Sequence, residues 1–249
     1  MKRLMLFLIV VVMVLLMGMG AVELSGRLHG DKAAEKAYAS PALPATQAQA
    51  PELPAPVKEQ DWKLRIVSEA QPLPEDFSVE TEEAENCYLF DARAAQALRD
   101  LLAAGRAAGM DLEVASAWRD WATQETLFEN KVERVMAETG LERDEAEEIA
   151  ADEVARPGTS EHQLGLAVDI ISNDHPWLDE GWADTEEAAW LEEHCAEYGF
   201  ILRYPPDKSE LTGIVWEPWH FRYVGVEAAV YIMDNGLCLE EYVALQAEL

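Results

Sequence analysis

From about Trp62 onward, the spacing of apolar residues divides the chain into helices and strands. Apolar residues at steps of three and four indicate amphipathic helices, whereas short apolar runs bounded by turn residues indicate strands. This pattern predicts helices over 91–108, 120–138, 142–154, 185–198, 226–235 and 239–245, and strands over 64–67, 112–116, 166–171, 214–216 and 219–224. Because the two kinds of element follow one another without a regular βαβ order, we predict the α+β fold class.

The N-terminal segment, residues 1–22, has a different pattern. Lys2 and Arg3 precede an apolar run over residues 4–22. A charged start and an apolar stretch are typical of a secretory signal, but the run also approaches the roughly 20 residues that span a bilayer. We favour a membrane anchor over a cleaved signal, because the small residues at its end form a poor cleavage site. With the basic residues inside, the rest of the chain is extracytoplasmic.

Residues 23–60 are dominated by alanine, proline and glutamine and show no apolar periodicity. This composition predicts an extended, disordered spacer between the membrane and a folded domain. The domain itself is predicted over residues 61–249.

The net charge of -29 excludes one class of partner. Binding to nucleic acid requires clustered lysine and arginine, so we predict no nucleic-acid partner. Hydrophobic residues make up 49% of the chain, which is ample for a core. We interpret the acidity as a solvated surface; adaptation to a cationic or saline medium is the alternative.

Three cysteines, Cys87, Cys195 and Cys238, have no CxxC spacing. A cysteine zinc cluster is therefore not supported, and a disulfide outside the cell would leave one cysteine over. We interpret them as small buried hydrophobic residues.

Three candidate metal ligands lie in two short motifs, SEHQLGLAVD over residues 160–169 and EPWH over 217–220. His162 and Asp169 come from a loop that enters a strand, and His220 comes from a distant segment. Two imidazoles and one carboxylate are usual zinc ligands, and three protein ligands with one open position are typical of a catalytic zinc site. The spacing matches neither HExxH nor a zinc finger. We predict one zinc ion per domain.

Glu217 lies three residues before His220 and is a candidate general base. If it faces the metal without binding it, it can take a proton from a metal-activated water and pass it to the leaving amine. Pro218 argues against a regular helix here, so we place Glu217 on a loop that enters a strand.

A second group of polar residues lies upstream. Arg119 follows a predicted strand, and its guanidinium could hold a developing oxyanion or a substrate carboxylate. Gln124 lies about one turn further along, and Ser160 precedes the first histidine by two residues. Together with Ser116, these two residues are candidate substrate contacts.

These residues form the pattern of a known family. The motif SxHxxGxAxD over residues 160–169, with ExWH over 217–220 and SxxR over 116–119, resembles the VanY-type D-alanyl-D-alanine carboxypeptidases. These enzymes belong to the LAS group of zinc peptidases, which also includes the hedgehog signalling domain. The resemblance covers residues 62–245. It implies a hedgehog/DD-peptidase-like fold with a small central antiparallel sheet flanked by helices.

The resemblance also implies roles for the residues. Glu217 would be the general base and acid, and Arg119 would stabilise the transition state or hold the substrate carbonyl. Ser160 would bind the terminal carboxylate, and Gln124 matches the glutamine that follows the arginine motif. The implied zinc ligands are His162, Asp169 and His220.

By the same resemblance, the substrates are peptidoglycan stem peptides, which would lose their C-terminal D-alanine. The chain departs from the family at Ala117 and Trp118, where a tyrosine is frequent, so the pocket could differ. An L,D-carboxypeptidase that trims tetrapeptide stems is an alternative. A non-catalytic module that binds cell-wall peptides is another, although the presence of Glu217 and Arg119 argues against lost catalysis.

Overall fold

A computed structural model describes residues 61–248. The strands are β1 (Thr81–Glu85), β2 (Tyr88–Asp91), β3 (Glu113–Ser116), β4 (Ala167–Ile171), β5 (Phe200–Leu202) and β6 (His220–Tyr223). The α-helices are α1 (Ala95–Ala107), α2 (Trp121–Thr139), α3 (Arg143–Ala151), α4 (Glu186–His194), α5 (Ser209–Thr212), α6 (Val226–Asp234) and α7 (Leu239–Ala247). Short 3₁₀ helices cover Trp62–Leu64, Glu161–Leu164, Glu180–Asp184 and Cys195–Tyr198.

The central sheet has four antiparallel strands in the order β3-β4-β6-β5, and β1 and β2 form a separate hairpin. In this register Asp169 on β4 is the partner of Ser116 on one side and of His220 on the other. Three predicted site residues therefore lie in one row across three neighbouring strands. The α+β prediction with a small antiparallel sheet and flanking helices is confirmed.

Helix α1 supplies much of the main core. Its Leu98, Leu101 and Leu102 are fully buried, at the spacing that places them on one helix face. They belong to the same apolar cluster as Val168 and Ile170 of β4. The core thus covers one side of the strand that carries Asp169.

Helices α2 and α3 form a hairpin with a small core of their own. Asp120 caps α2 by accepting a hydrogen bond from Thr123 N at 2.8 Å, as predicted. Gly140 ends the helix in the left-handed conformation, which only glycine adopts without a steric cost. The apolar residues between the two helices are Phe128, Val132, Val135, Ala146 and Ala150.

Two predicted strands are wrong. Residues 64–67 do not form a strand; the chain there begins as a 3₁₀ helix, and Arg222 donates hydrogen bonds to the carbonyls of Lys63 and Arg65. The predicted strand 214–216 is a loop in which Val215 is exposed. An apolar run becomes a strand only where a neighbouring strand is available for pairing.

Sequence periodicity missed the β1–β2 hairpin, because the acidic residues of β1 leave no clear apolar alternation. Two predicted helix boundaries also differ. The helix predicted from residue 91 begins at Ala95, and the one predicted over 185–198 changes into a 3₁₀ helix after His194. Helix ends are the boundaries that local patterns define least well.

The cysteine interpretation is confirmed for Cys195 and Cys238, which are buried, and is wrong for Cys87, which is exposed in a tight turn with φ +70°. All three are free thiols. Within residues 61–248, no helix has the length and apolar character needed to cross a membrane. The predicted anchor over 1–22 and the spacer over 23–60 lie outside the described residues.

Candidate metal and catalytic site

The three predicted metal ligands meet beside the centre of the four-stranded sheet. Asp169 lies in the middle of β4, His220 begins β6 next to it, and His162 lies on the 3₁₀ helix Glu161–Leu164 just before β4. One ligand atom from each residue lies within 4.8 Å of the others, and all three residues are buried.

The orientation of His162 is set by the strand beside it. Its Nδ1 lies 2.7 Å from the carbonyl oxygen of Ala117, which can only accept, so Nδ1 carries the proton. Nε2 is then free and lies 3.3 Å from Asp169 Oδ2. Gly165, with φ +74°, turns the chain from this helix into β4, and a Cβ there would lie 3.1 Å from the backbone nitrogen of Asp91.

His220 presents its other nitrogen to the site. Nδ1 lies 3.1 Å from Asp169 Oδ1 and 3.4 Å from Glu217 Oε2. Although Asp169 Oδ1 is buried, it has no hydrogen-bond partner among the described residues. A buried carboxylate oxygen without a hydrogen bond needs an explanation, and a bound cation supplies one. Two imidazole nitrogens and one carboxylate form a donor set that fits zinc.

Burial and neighbouring charges shift the pKa values of the two ligand histidines in opposite directions. Burial lowers the pKa of His162 to about 4, and Arg119 acts in the same direction. Burial alone would raise the pKa of Asp169, but the two histidines outweigh it and hold that pKa well below its usual range. Burial also disfavours charge on His220, yet Asp169 and Glu161 outweigh it and raise its pKa to about 9.

Glu217 lies on the turn before β6, as predicted. Its backbone N–H donates to the carbonyl of Tyr204 at 3.1 Å, and its own carbonyl accepts from His220 N at 3.1 Å. Burial raises the pKa of Glu217 to about 7; His220 opposes this shift and Asp169 adds to it. A carboxyl group with a pKa near neutrality can both accept and release a proton under physiological conditions.

Arg119, in the segment that follows β3, borders the same group. One terminal nitrogen lies 3.1 Å from Asp169 Oδ2, and the other donates to Gln124 Oε1 at 3.3 Å. Nε donates to Ser116 Oγ at 2.8 Å. The guanidinium is thus held at three positions beside the ligand carboxylate.

The predicted substrate contacts have different surroundings. Gln124 is fully buried, and its amide nitrogen donates to Ala155 O at 2.6 Å. Ser160 is also buried and immediately precedes the 3₁₀ helix of His162. Gln163 Oε1 accepts from Gly158 N at 2.7 Å, which ties the loop before Ser160 to the same helix.

Sequence reasoning missed a buried ionic network behind His220. Glu161 accepts a hydrogen bond from Arg203 Nε at 2.9 Å and pairs with Arg222 at 2.7 Å. Arg203 also forms two hydrogen bonds with Glu240, at 2.9 and 2.5 Å. The available signal was an arginine inside each of two otherwise apolar or aromatic segments, FILRY over 200–204 and HFRY over 220–223.

Comparison with known proteins places these residues in a family. The sequence profile described as VanY: D-alanyl-D-alanine carboxypeptidase matches residues 88–226, which is more than half of the chain. The chain belongs to this family. The resemblance found in the motifs is therefore confirmed.

Relatives in this family include a D-alanyl-D-alanine carboxypeptidase of Enterococcus faecalis, 45% identical over 186 residues. That match covers 74% of this chain and 66% of the relative. The bifunctional D-Ala-D-Ala dipeptidase and carboxypeptidase VanXYC of Enterococcus gallinarum is 47% identical over 92 residues, or 36% of this chain and 48% of the relative. The chain thus spans about two thirds of the length of the first of these relatives and about half of the length of the second.

Solved structures agree with the family assignment. A mutant of the vancomycin-resistance D,D-pentapeptidase VanY in complex with Zn(II) is 44% identical, with a TM-score of 0.66, over 74% of this chain and 99% of that one. VanYB in complex with D-alanine-D-alanine is 43% identical, with a TM-score of 0.67, over 74% and 98%. The LD-carboxypeptidase LdcB is 35% identical, with a TM-score of 0.60, over 72% and 84%. The predicted DD-peptidase-like fold is confirmed.

Proposed function

We propose that this chain is a zinc-dependent D,D-carboxypeptidase that removes the C-terminal D-alanine from peptidoglycan stem peptides. The observation that carries the proposal is the meeting of His162, Asp169 and His220 with Glu217 and Arg119 in one buried site of a VanY-family chain. The three first-named residues would hold zinc. The zinc-containing VanY structure supports that choice of metal.

When bound, zinc acts as a Lewis acid that polarises a carbonyl and lowers the pKa of water. Glu217 is the group that moves the proton. Its Oε2 lies 3.4 Å from His220 Nδ1, so the carboxylate borders the ligand atoms. It accepts the proton of the attacking water and then donates it to the leaving amine, which balances the hydrolysis of the peptide bond.

Arg119 stabilises the negative charge that develops on the scissile carbonyl oxygen. Its contacts with Ser116, Gln124 and Asp169 orient the guanidinium before substrate binds, which reduces the reorganisation needed in the transition state. Ser116 and Gln124 thus position Arg119 for the substrate. Ser160 is proposed to bind the terminal carboxylate.

An L,D-carboxypeptidase is the second candidate function. The observation in its favour is the 35% identity to the LD-carboxypeptidase LdcB, over 72% of this chain. The higher identity to two VanY structures, 44% and 43%, favours the D,D activity. A non-catalytic binding module is disfavoured because Glu217 and Arg119 both lie at the site.

The cellular setting follows from the substrate. Cell-wall peptidases act outside the cytoplasm, and the predicted orientation of the N-terminal segment agrees with this. We propose that residues 1–22 anchor the protein and that residues 23–60 let the domain reach the wall. Sedimentation of the full-length protein with membranes, before and after a high-salt wash, tests the anchor; release into the soluble fraction would contradict it.

The decisive experiment measures amino-acid release by the full-length protein from pentapeptide and tetrapeptide stems, with and without a chelator. Chelator-sensitive release of D-alanine from the pentapeptide is expected. Release from the tetrapeptide alone would favour the L,D activity. No release from either peptide by the zinc-loaded protein would contradict both.

A further inference from the structure

The far side of His220 faces a carboxylate that the proposed reaction does not use. His220 Nε2 points away from Asp169 and lies 3.8 Å from Glu161 Oε2. Both atoms are buried, and neither has a hydrogen-bond partner among the described residues. One is a ring nitrogen that can donate and the other is an oxygen that can only accept when ionised.

The other carboxylate oxygen of Glu161 already has two partners. Oε1 accepts from Arg203 Nε at 2.9 Å and pairs with Arg222 at 2.7 Å. Two guanidinium groups on one oxygen keep the carboxylate ionised and fix its orientation. That orientation turns Oε2 toward His220 and leaves it free to accept.

Contacts outside the site hold these two arginines in place. Arg203 is bonded to Glu240 at the start of α7, and Arg222 donates to the carbonyl of Lys63 at 2.8 Å. Glu161 therefore has little freedom to move away from the imidazole. The His220 ring is itself confined, with the Tyr204 ring centroid 4.8 Å away.

In the other ligand histidine, His162, a hydrogen bond already fixes the nitrogen that faces away from the site. The Nδ1 of His162 donates to the carbonyl of Ala117, which leaves its Nε2 for the metal. On His220 it is Nε2 that faces away from the site, and the group opposite it is the carboxylate of Glu161, 3.8 Å away. A carboxylate that accepts the far N–H of a metal-binding histidine fixes its tautomer and strengthens it as a ligand.

We propose that Glu161 is a positioning residue that accepts the Nε2 proton of His220 and so presents the Nδ1 lone pair of this histidine to the metal. Arg203 and Arg222 hold Glu161 in the orientation that this requires. The inference rests on the zinc site of the proposed function. Its readouts are the tautomer of a histidine and the affinity for zinc, neither of which depends on peptide hydrolysis.

The first test uses the zinc-loaded full-length protein without mutation. Nitrogen-15 NMR of the imidazole rings, with His220 assigned through the loss of its signals in His220→Gln, reports which nitrogen binds the metal. We expect Nδ1 bound to zinc, and Nε2 protonated with a slowly exchanging hydrogen. Zinc on Nε2, or a rapidly exchanging Nε2 proton, would overturn the proposal.

The second test compares a variant of this network with a variant of an ion pair outside it. Glu161→Gln removes the charged acceptor, and we expect zinc affinity to fall by about 10–100-fold in competition with a chelator. Glu129→Gln breaks the exposed ion pair with Arg143 between α2 and α3, outside this network, and we expect zinc affinity to be unchanged. Equal losses in the two variants, or an unchanged affinity in folded Glu161→Gln, would contradict the proposal.

The tests also distinguish this inference from the function on which it rests. If Glu161→Gln fails to fold, the NMR measurement on the unmutated protein still decides the tautomer. A protein with the expected tautomer that releases no D-alanine would contradict the proposed function and support the positioning role of Glu161. Chelator-sensitive D-alanine release with zinc on Nε2 would support the function and overturn the positioning role.

Discussion

Two groups of buried charge lie on opposite sides of the His220 ring, and they differ in the kind of cation that faces the carboxylates. On one side, Glu161 and Glu240 balance Arg203 and Arg222 through direct ion pairs. On the other side, the carboxylate of Asp169 faces two imidazoles as well as the guanidinium of Arg119.

This difference distinguishes the residues that support the site from the residues that can carry out its chemistry. Carboxylates that are ion-paired with guanidinium groups can hold neighbouring groups in place, since moving one member would leave its partner unpaired. A carboxylate beside imidazoles can bind a metal ion together with them, because an imidazole nitrogen is a metal ligand and a guanidinium has no acceptor atom. His220 belongs to both sides, because one ring nitrogen faces the network around Glu161 and the other faces the metal ligands.

The largest effect is expected from removing the residue shared by the two sides. His220→Ala deletes a metal ligand, so zinc affinity should fall by more than the roughly 100-fold upper range seen for residues behind a ligand. Turnover should be lost with the metal. Zinc content after dialysis is the measurement.

His194→Ala is the matched control, because His194 pairs with Glu197 at the surface and lies outside the ligand group. Its zinc content should equal that of the unmutated protein. Full zinc occupancy in His220→Ala would show that the ligand set is wrong.

Glu217→Ala tests whether the side of His220 that carries the metal ligands also contains a group that reacts without binding the metal. Turnover should fall by about 10²–10⁴-fold, because proton transfer loses its base. Zinc should be retained, since Glu217 is outside the three-ligand group. Parallel assays of D-alanine release and zinc content check this, with Glu210→Ala on α5 as a control; loss of zinc would reassign Glu217 as a ligand.

Arg119→Lys keeps the positive charge but removes the planar arrangement of donors. One ammonium cannot replace the three directed contacts with Ser116, Gln124 and Asp169. We expect kcat to fall by about 10²–10³-fold, the range found when one transition-state donor is removed. Arg93→Lys, at a half-exposed ion pair with Asp91, should leave kcat unchanged; equal kinetics in the two variants would contradict the role of Arg119.

The smallest expected effect is the change in zinc affinity for each unit of pH. Because neighbouring carboxylates raise the pKa of His220 to about 9, its imidazole is protonated at neutral pH in the metal-free protein. Zinc must displace that proton, so affinity should fall by about tenfold for each pH unit below the pKa. The pKa of His162, lowered to about 4, adds nothing in this range.

Chelator competition across about pH 7 to 9 measures this slope, and calorimetry in buffers of different ionisation enthalpy counts the released proton. One proton per zinc is expected near neutral pH. An affinity that does not change with pH would mean that His220 is already neutral in the metal-free protein.

Where local signals were sufficient, the sequence predicted the structure well. Helix α2 has the predicted Asp120 cap, and the predicted strand over 166–171 is β4. The strands predicted over 64–67 and 214–216 were wrong, because an apolar run does not show whether a partner strand lies beside it. The Glu161 network was missed because a buried ion pair joins residues from segments far apart in the chain, and each looks like a surface residue on its own.

The sequence by itself determined which functional side chains are present: two histidines, one aspartate, a free glutamate and an arginine in motifs that identify the family. Donor type depends only on the side chain, so it can be taken from the sequence. The tertiary structure decided which atoms face one another, through the register that aligns Ser116, Asp169 and His220 across three strands. It also decided that His162 and His220 offer opposite nitrogens to the site, because the acceptors of their other nitrogens, Ala117 O and Glu161, are brought there only by folding.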